Sequence, residues 1–215
     1  MQQIIYQTEN FVKTTLHTDS TGHDFYHAFR VRDGALNIAK TEPGDKVVIE
    51  LAALLHDISD YKFNGGDERK GGRVARAFLT DAGLDEYRVD RVVEVVNTVS
   101  FRGAHAESSH LVSEAKIVQD ADRLDALGAI GIARCFAFGG HRGHPIYDPM
   151  VPVKMHSSFE EYKNHEGTSV NHFYEKLLLL KMRMNTPTGQ AMAEKRHHFM
   201  QQFLDRFHTE WKGLV

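Results

Sequence analysis

The sequence is poor in the features that mark secreted, membrane-bound or nucleic-acid-binding proteins. Its 215 residues contain one cysteine, Cys135, so the chain cannot form a disulfide with itself. No apolar run near the N-terminus is long enough for a signal peptide or a membrane span. The net charge is only −3, which gives no overall attraction to nucleic acid or to anionic lipid. We therefore expect a cytoplasmic protein whose partners include neither a membrane nor a nucleic-acid polymer.

Proline is also scarce, with five residues, and strict alternation of apolar and polar residues over a strand's length is hard to find. Apolar residues instead recur at helical spacing through most of the chain. These patterns predict an all-α fold. The length suits one generous domain, 1–215, better than two. We expect a core of about residues 20–138 and a C-terminal helical extension of about residues 167–212 packed on it.

Glycine, proline and polar clusters divide the chain into predicted helices. The longest predicted helix begins near Ser113, which has the chemistry of an N-cap, and continues to about Phe138. Residues 139–166 hold three of the five prolines and are predicted to form an irregular excursion, with a lid as one interpretation. The other predicted helices cover approximately residues 2–16, 24–40, 46–56, 72–82, 89–99, 169–184 and 188–211.

Histidine, by contrast, is abundant, with 14 residues, and it is a common metal ligand and acid/base group near neutral pH. The pair His56-Asp57 directly follows the apolar run of residues 51–55. Such a run predicts a buried helix, and an ionised carboxylate at its end is costly unless it is paired or bound to a cation. Imidazole and carboxylate together suit Zn, Mn, Fe, Co or Ni, whereas Mg demands more oxygen ligands.

Further ligands must come from other elements, because adjacent side chains on a regular helix point about 100° apart. His27 lies on a predicted helix with an inward-facing apolar pattern. Asp122 has small apolar neighbours at helical spacing, whereas Asp120 has basic residues at i−4 and i+3, as a solvated or salt-bridged carboxylate does. We therefore expect Asp122, rather than Asp120 or Asp125, to be the buried ligand.

Three motifs together resemble the ordered H…HD…D signature of the HD-domain superfamily of metal-dependent phosphohydrolases. They are His27-Ala-Phe-Arg-Val31, Leu54-Leu-His-Asp57 and Asp120-Ala-Asp-Arg-Leu124. The strings Asp57-Ile-Ser-Asp-Tyr-Lys62 and Ser100-Phe-Arg-Gly103 are similar to those of a small bacterial, nucleotide-directed branch.

The resemblance implies an HD-type helical bundle that holds one divalent ion through His27, His56, Asp57 and Asp122. Manganese is the first choice, with Co, Ni, Mg, Fe or Zn as alternatives. The implied reaction is hydrolysis of nucleotides, specifically the release of pyrophosphate from a nucleoside or deoxynucleoside triphosphate. The alternatives are a 5′-nucleotidase or cyclic-nucleotide phosphodiesterase, and a non-catalytic module that senses a nucleotide or metal.

The resemblance also assigns roles outside the ligand set. Asp60 matches the position of an acidic helper that takes a proton from the attacking water. His23 would bind phosphate or protonate the leaving oxygen; the alternative is a helix-start turn with Asp24 as N-cap. Lys62 and Arg102 are candidates for stabilising phosphate charge, and solvated loop charges are the alternative.

Two questions stay open in the sequence. His105 and His110 fall between the HD pair and Asp122, where some members of the superfamily insert ligands for a second metal. Because the adjacent His-His of the two-metal enzymes is missing, we predict a single ion. The apolar run of residues 177–180 is either core or a dimer face, so a monomer or a homodimer is expected.

Overall fold

In a computed structural model, which describes residues 1–16, 24–59, 69–99, 111–155 and 167–214, all regular secondary structure in these ranges is helical. This confirms the predicted all-α fold. None of the helices in the same ranges has both the length and the apolar character needed to cross a membrane.

The α-helices are numbered in chain order, and a 3-10 helix, Leu177–Arg183, lies between the last two. Their bounds are α1 (Gln2–Thr15), α2 (Phe25–Ile38), α3 (Lys46–Leu55), α4 (Lys70–Asp81), α5 (Glu86–Val99), α6 (Ser113–Asp125), α7 (Gly128–His141), α8 (Ser169–Glu175) and α9 (Pro187–Trp211). The chain forms two compact units, which divide within α6 between Asp122 and Arg123. The predicted packing of a C-terminal extension on the core stays a prediction.

Helix α3 is the centre of the first unit, and α1, α2 and α5 pack around it. Asp45 caps its start by accepting hydrogen bonds from the backbone N–H groups of Val47 and Val48. Every residue from Leu51 to Leu55 is fully buried, as expected of a helix that is apolar on all sides. The helix ends at Leu55 as predicted, so His56 and Asp57 lie in the turn that follows it.

The predicted helix 113–138 is wrong in one respect, because it is broken into α6 and α7. At the junction Ala126 and Leu127 donate hydrogen bonds to Arg123 and Leu124, three residues back, in a tight turn. Gly128 then adopts a left-handed φ of +71°, which interrupts a regular helix. The apolar periodicity continues through the junction, so periodicity alone could not reveal the break.

The second unit also differs from the prediction at residues 169–184, which form α8 and the 3-10 helix instead of one α-helix. The backbone of Lys176 between them is not helical, with φ −142° and ψ −57°. Leu177 and Leu180 are buried in this unit, so they belong to its core, whereas Leu179 is exposed.

The predicted excursion begins too early, because residues 139–141 belong to α7, and only residues 142–155 of its described part are irregular. This irregular segment is attached to α8. The backbone N–H groups of Ser169 and Val170 donate to the carbonyls of Pro145 and Ile146, each at 3.0 Å. The side chain of Asn171 donates to the Val151 carbonyl at 3.0 Å. A lid formed by this part of the chain would have to break these hydrogen bonds to open.

Candidate metal centre

His27 is positioned by the first turn of α2. Asp24 is the N-cap of this helix, and its carboxylate accepts a hydrogen bond from the His27 backbone N–H at 3.0 Å. The His27 side chain is only 2% exposed, so its ring is held inside the first unit. The alternative interpretation of this segment, in which Asp24 acts as an N-cap, is therefore confirmed for Asp24.

His56 is oriented by a hydrogen bond within its own turn. Its Nδ1 lies 2.8 Å from the carbonyl oxygen of Ala53, which can only accept, so Nδ1 carries the proton. In the neutral ring Nε2 then carries the lone pair, as a metal ligand needs. This Nε2 lies 3.2 Å from Nε2 of His27.

Two carboxylates complete a cluster around the imidazole pair. Asp57 Oδ2 lies 3.6 Å from His27 Nε2 and 3.5 Å from His56 Nε2. Asp122 Oδ1 lies 3.4 Å from His27 Nε2 and 3.8 Å from His56 Nε2. In the described part of the chain, His27, His56 and Asp57 form a group whose ligand atoms all lie within 4.8 Å of one another.

These separations suit a coordination sphere. If ligand atoms lie about 2.1 Å from an ion, neighbouring ligands are about 3.0 Å apart in octahedral and about 3.4 Å apart in tetrahedral geometry. Imidazole nitrogen and carboxylate oxygen are also the donors that divalent transition metals accept together. His27, His56 and Asp57 therefore fit one divalent ion, and Asp122 lies within 3.8 Å of both imidazoles. The donor types do not select a particular metal.

The two kinds of ligand differ in exposure. Both histidine side chains are 2% exposed, whereas those of Asp57 and Asp122 are 27% and 38% exposed. The cluster is therefore closed on the imidazole side and open on the carboxylate side. A substrate can approach an ion only from an open side.

The structure corrects the expected surroundings of the α6 aspartates. Asp120, predicted to be solvated or salt-bridged, is fully buried, which excludes a solvated carboxylate. Asp125 is buried and accepts a hydrogen bond from Arg134 at 2.6 Å. Asp122 is the more exposed of the three, yet it is the one that reaches the histidines. Basic neighbours at i−4 and i+3 did not indicate which side of α6 faces the core.

The pKa of Asp122 reflects this environment. Loss of hydration opposes ionisation, but the hydrogen bond from His27 and the positive charge that His56 and His27 carry when protonated outweigh it, and the pKa lies below its usual range. The carboxylate is therefore ionised at neutral pH, as ligation requires.

Several predicted site residues lie outside the described residues, namely His23, Asp60, Lys62, Arg102, His105 and His110. Their predicted roles stay predictions. Sequence reasoning did not find the Ala53 carbonyl that orients His56, because a backbone acceptor leaves no signal in residue type.

Comparisons with known proteins agree with this geometry. The HD domain family model matches residues 24–127, which include all four clustered side chains. The protein YpgQ from Bacillus subtilis (strain 168) is 37% identical over 97% of this chain and 94% of its own length.

Solved structures extend the likeness to the whole chain. A Lactobacillus plantarum protein superposes with a TM-score of 0.83 at 33% identity, over 99% of this chain and 98% of its own. An HD-superfamily hydrolase from Bacillus thuringiensis gives 0.77 at 40% identity, over 98% of each chain. YpgQ, crystallised in complex with ADP, gives 0.78 at 34% identity, over 98% of this chain and 100% of its own.

The helical fold and the imidazole–carboxylate cluster define a metal-dependent phosphohydrolase. The matched family model and the relatives that span the chain also identify the family. This chain belongs to the HD-domain family.

Proposed function

We propose that this protein hydrolyses nucleoside or deoxynucleoside triphosphates and releases pyrophosphate. In this proposal one divalent ion, with manganese as first choice, is held by His27, His56, Asp57 and Asp122. The observation that carries it is a pair of imidazole nitrogens 3.2 Å apart, with one oxygen of each carboxylate 3.4–3.8 Å from both nitrogens. The ADP complex of YpgQ supports a nucleotide as the substrate.

In the proposed site, the histidines hold the ion on the buried side and the carboxylates lie on its open side. When bound, the ion neutralises phosphate oxygens and lowers the pKa of a bound water. The buried imidazoles of His27 and His56 hold their positions because a helix cap and a backbone carbonyl orient them. The half-exposed carboxylates of Asp57 and Asp122 face the side from which a triphosphate would enter.

The proposed reaction needs a base and a phosphate-binding surface. Water attacks the α-phosphorus, its proton passes to the Asp60 carboxylate, and the bond between the α-phosphorus and the bridging oxygen breaks to free pyrophosphate. Lys62 and Arg102 are proposed to balance the charge that develops on the phosphates, and His23 to bind phosphate or protonate the leaving oxygen. These four assignments rest on the positions of the residues in the sequence motifs.

The choice of bond is tested by the products. We expect metal-free protein resupplied with Mn²⁺ to convert triphosphates to monophosphates and pyrophosphate, and to be less active with the other metals. A panel of nucleoside mono- and triphosphates and cyclic nucleotides is assayed with Mn²⁺, Co²⁺, Ni²⁺ and Mg²⁺, measuring phosphate and pyrophosphate separately. Phosphate alone from monophosphates would favour a 5′-nucleotidase, and opening of cyclic nucleotides a phosphodiesterase. No turnover with any metal would instead leave a nucleotide- or metal-sensing module.

The role of Asp60 is tested by removing its charge and keeping its size. We expect Asp60→Asn to bind Mn²⁺ as the wild type does but to lose turnover by about 10²–10⁴-fold, the usual contribution of general acid–base catalysis. Metal affinity is measured by calorimetry and turnover with saturating Mn²⁺. The matched control is Asp81→Asn, an exposed aspartate in α4, which should leave both unchanged. Loss of metal from Asp60→Asn would make Asp60 a ligand instead of a base.

A further inference from the structure

Helices α2 and α6 approach each other closely at Gly34. A Cβ atom built on Gly34 would lie 3.5 Å from the Cβ of Ala121 and 4.0 Å from its Cα. The two smallest residue types therefore face each other, and the helices have room for one methyl group between them. Larger side chains at this point would separate the helix axes, which normally lie about 8–10 Å apart.

This contact and the candidate metal centre belong to the same pair of helices. Gly34 follows His27 by seven residues, which is about two turns and brings it back to nearly the same side of α2. Ala121 directly precedes Asp122 on α6. The His27 Nε2–Asp122 Oδ1 distance of 3.4 Å therefore spans the interface whose width is limited at Gly34 and Ala121.

Helix α2 cannot easily move to make room. It packs on α3, and Ala28, Val31, Ala35 and Ile38 are all fully buried. A side chain larger than that of alanine at position 34 would consequently displace α6 and carry Asp122 away from His27. Metal sites tolerate changes of only about 0.2 Å in ligand distance, so a small displacement is enough to weaken binding.

We propose that Gly34 is a positioning residue for the metal centre. Because it lacks a side chain, it sets the spacing of α2 and α6, and this spacing sets the separation of the ligand atoms of His27 and Asp122. The inference rests on the proposed role of these two residues as ligands. It is thus a claim about metal affinity, separate from the stability of the helices.

The test compares substitutions of graded size at position 34. Gly34→Ala should keep its Mn²⁺ affinity within about threefold, because 3.5 Å is an ordinary contact between methyl groups. Gly34→Val should lower the affinity by about 10–100-fold, the usual effect of disturbing residues that support a metal ligand. Affinity is measured by calorimetry on metal-free protein whose helicity and Tm are recorded by circular dichroism.

The matched control is Gly140→Val in α7, where a Cβ atom meets nothing within 4 Å. It makes the same substitution inside a helix and should leave Mn²⁺ affinity unchanged. If Gly34→Val does not fold, Ala121→Val gives the deciding measurement, because it faces the bare backbone of Gly34 and displaces the helices less. Wild-type affinity in the folded variant, or an equal loss in Gly140→Val, would overturn the inference.

One further variant separates this inference from the assignment of the ligands. Asp122→Ala should lose Mn²⁺ if Asp122 is a ligand. Retention of Mn²⁺ by Asp122→Ala would remove the basis of the proposed site. Loss of Mn²⁺ from Asp122→Ala together with unchanged affinity in Gly34→Val would refute only the positioning role of Gly34.

Discussion

Replacing Asp57 with alanine is expected to abolish both the retention of a divalent ion and nucleotide hydrolysis. Its Oδ2 lies within 3.6 Å of the Nε2 atoms of His27 and His56, so it contacts both imidazoles of the proposed ligand set. The substitution also removes one of the two negative charges that would balance the ion. A catalytic ion contributes several kcal/mol to the stabilisation of the transition state, so we expect turnover to fall by at least about 10³-fold.

The measurement pairs metal content with activity. Wild type and Asp57→Ala are stripped, resupplied with Mn²⁺, desalted and examined by elemental analysis, and turnover is then measured with triphosphates. Asp81→Ala removes an exposed aspartate from the same unit and should retain both metal and activity. Hydrolysis that survives in Asp57→Ala would locate the active site elsewhere in the chain.

Replacing Glu114 with alanine is expected to destabilise the fold more than the loss of an exposed charged side chain in the first unit. Its Oε1 accepts a hydrogen bond from the Asp45 backbone N–H at 3.1 Å, and its Oε2 lies 2.8 Å from Arg91 Nη2. The Glu114 side chain is only 10% exposed. Removing Glu114 leaves the Asp45 N–H without this acceptor and takes the buried partner from Arg91, which keeps its ion pair with Glu94. We expect a cost of about 1–3 kcal/mol.

For a protein of this size that loss corresponds to a fall in Tm of about 2–12 °C, measured by calorimetry or circular dichroism. Glu94→Ala is the matched control, because Glu94 pairs with the same Arg91 at 2.7 Å but is 48% exposed. Its loss should cost less than about 1 kcal/mol. Glu114→Gln keeps an acceptor for the Asp45 N–H and should be intermediate. Equal effects of Glu114→Ala and Glu94→Ala would show that burial of the pair adds nothing.

The Glu114 contact links stability to the metal centre. It joins the first turn of α6 to the start of α3. Three of the proposed ligands lie near the C-terminal ends of these two helices. His56 and Asp57 follow α3, and Asp122 lies on α6. We therefore expect this pair to help keep the two helices in register, at a point about two turns from Asp122.

The ligand residues illustrate how far sequence reasoning reaches. The fully apolar run before His56 predicts both a buried helix and its end, because such a run can be stable only in a core. The small apolar neighbours of Asp122 at helical spacing then favour it, among three aspartates of α6, as the buried ligand. The predicted burial was nevertheless reversed, since Asp120 is fully buried and Asp122 is partly exposed. Which side of α6 faces the core depends on its neighbours in space.

The break between α6 and α7 also depends on neighbours in space and could not be predicted from the sequence. Apolar spacing runs unbroken from α6 into α7, yet the chain turns at residues 126–127 and Gly128 adopts φ +71°. The side chain of Arg196 on α9 lies over Gly128, where a Cβ atom would be 3.1 Å from the Arg196 Cγ. Residues about seventy positions apart therefore meet at the break, and local periodicity carries no information about such a contact.

The sequence by itself determined the helical class and offered a cap at Asp24, because these follow from residue type and spacing over a few turns. Its resemblance to the HD-domain superfamily supplied the four proposed ligands. Only the tertiary structure decided that His27, His56, Asp57 and Asp122 converge, and that Gly34 meets Ala121. His27 and His56 are 29 positions apart, and Asp57 and Asp122 are 65 positions apart. The distances between their side chains therefore depend on how closely the helices pack and not on the spacing along the chain.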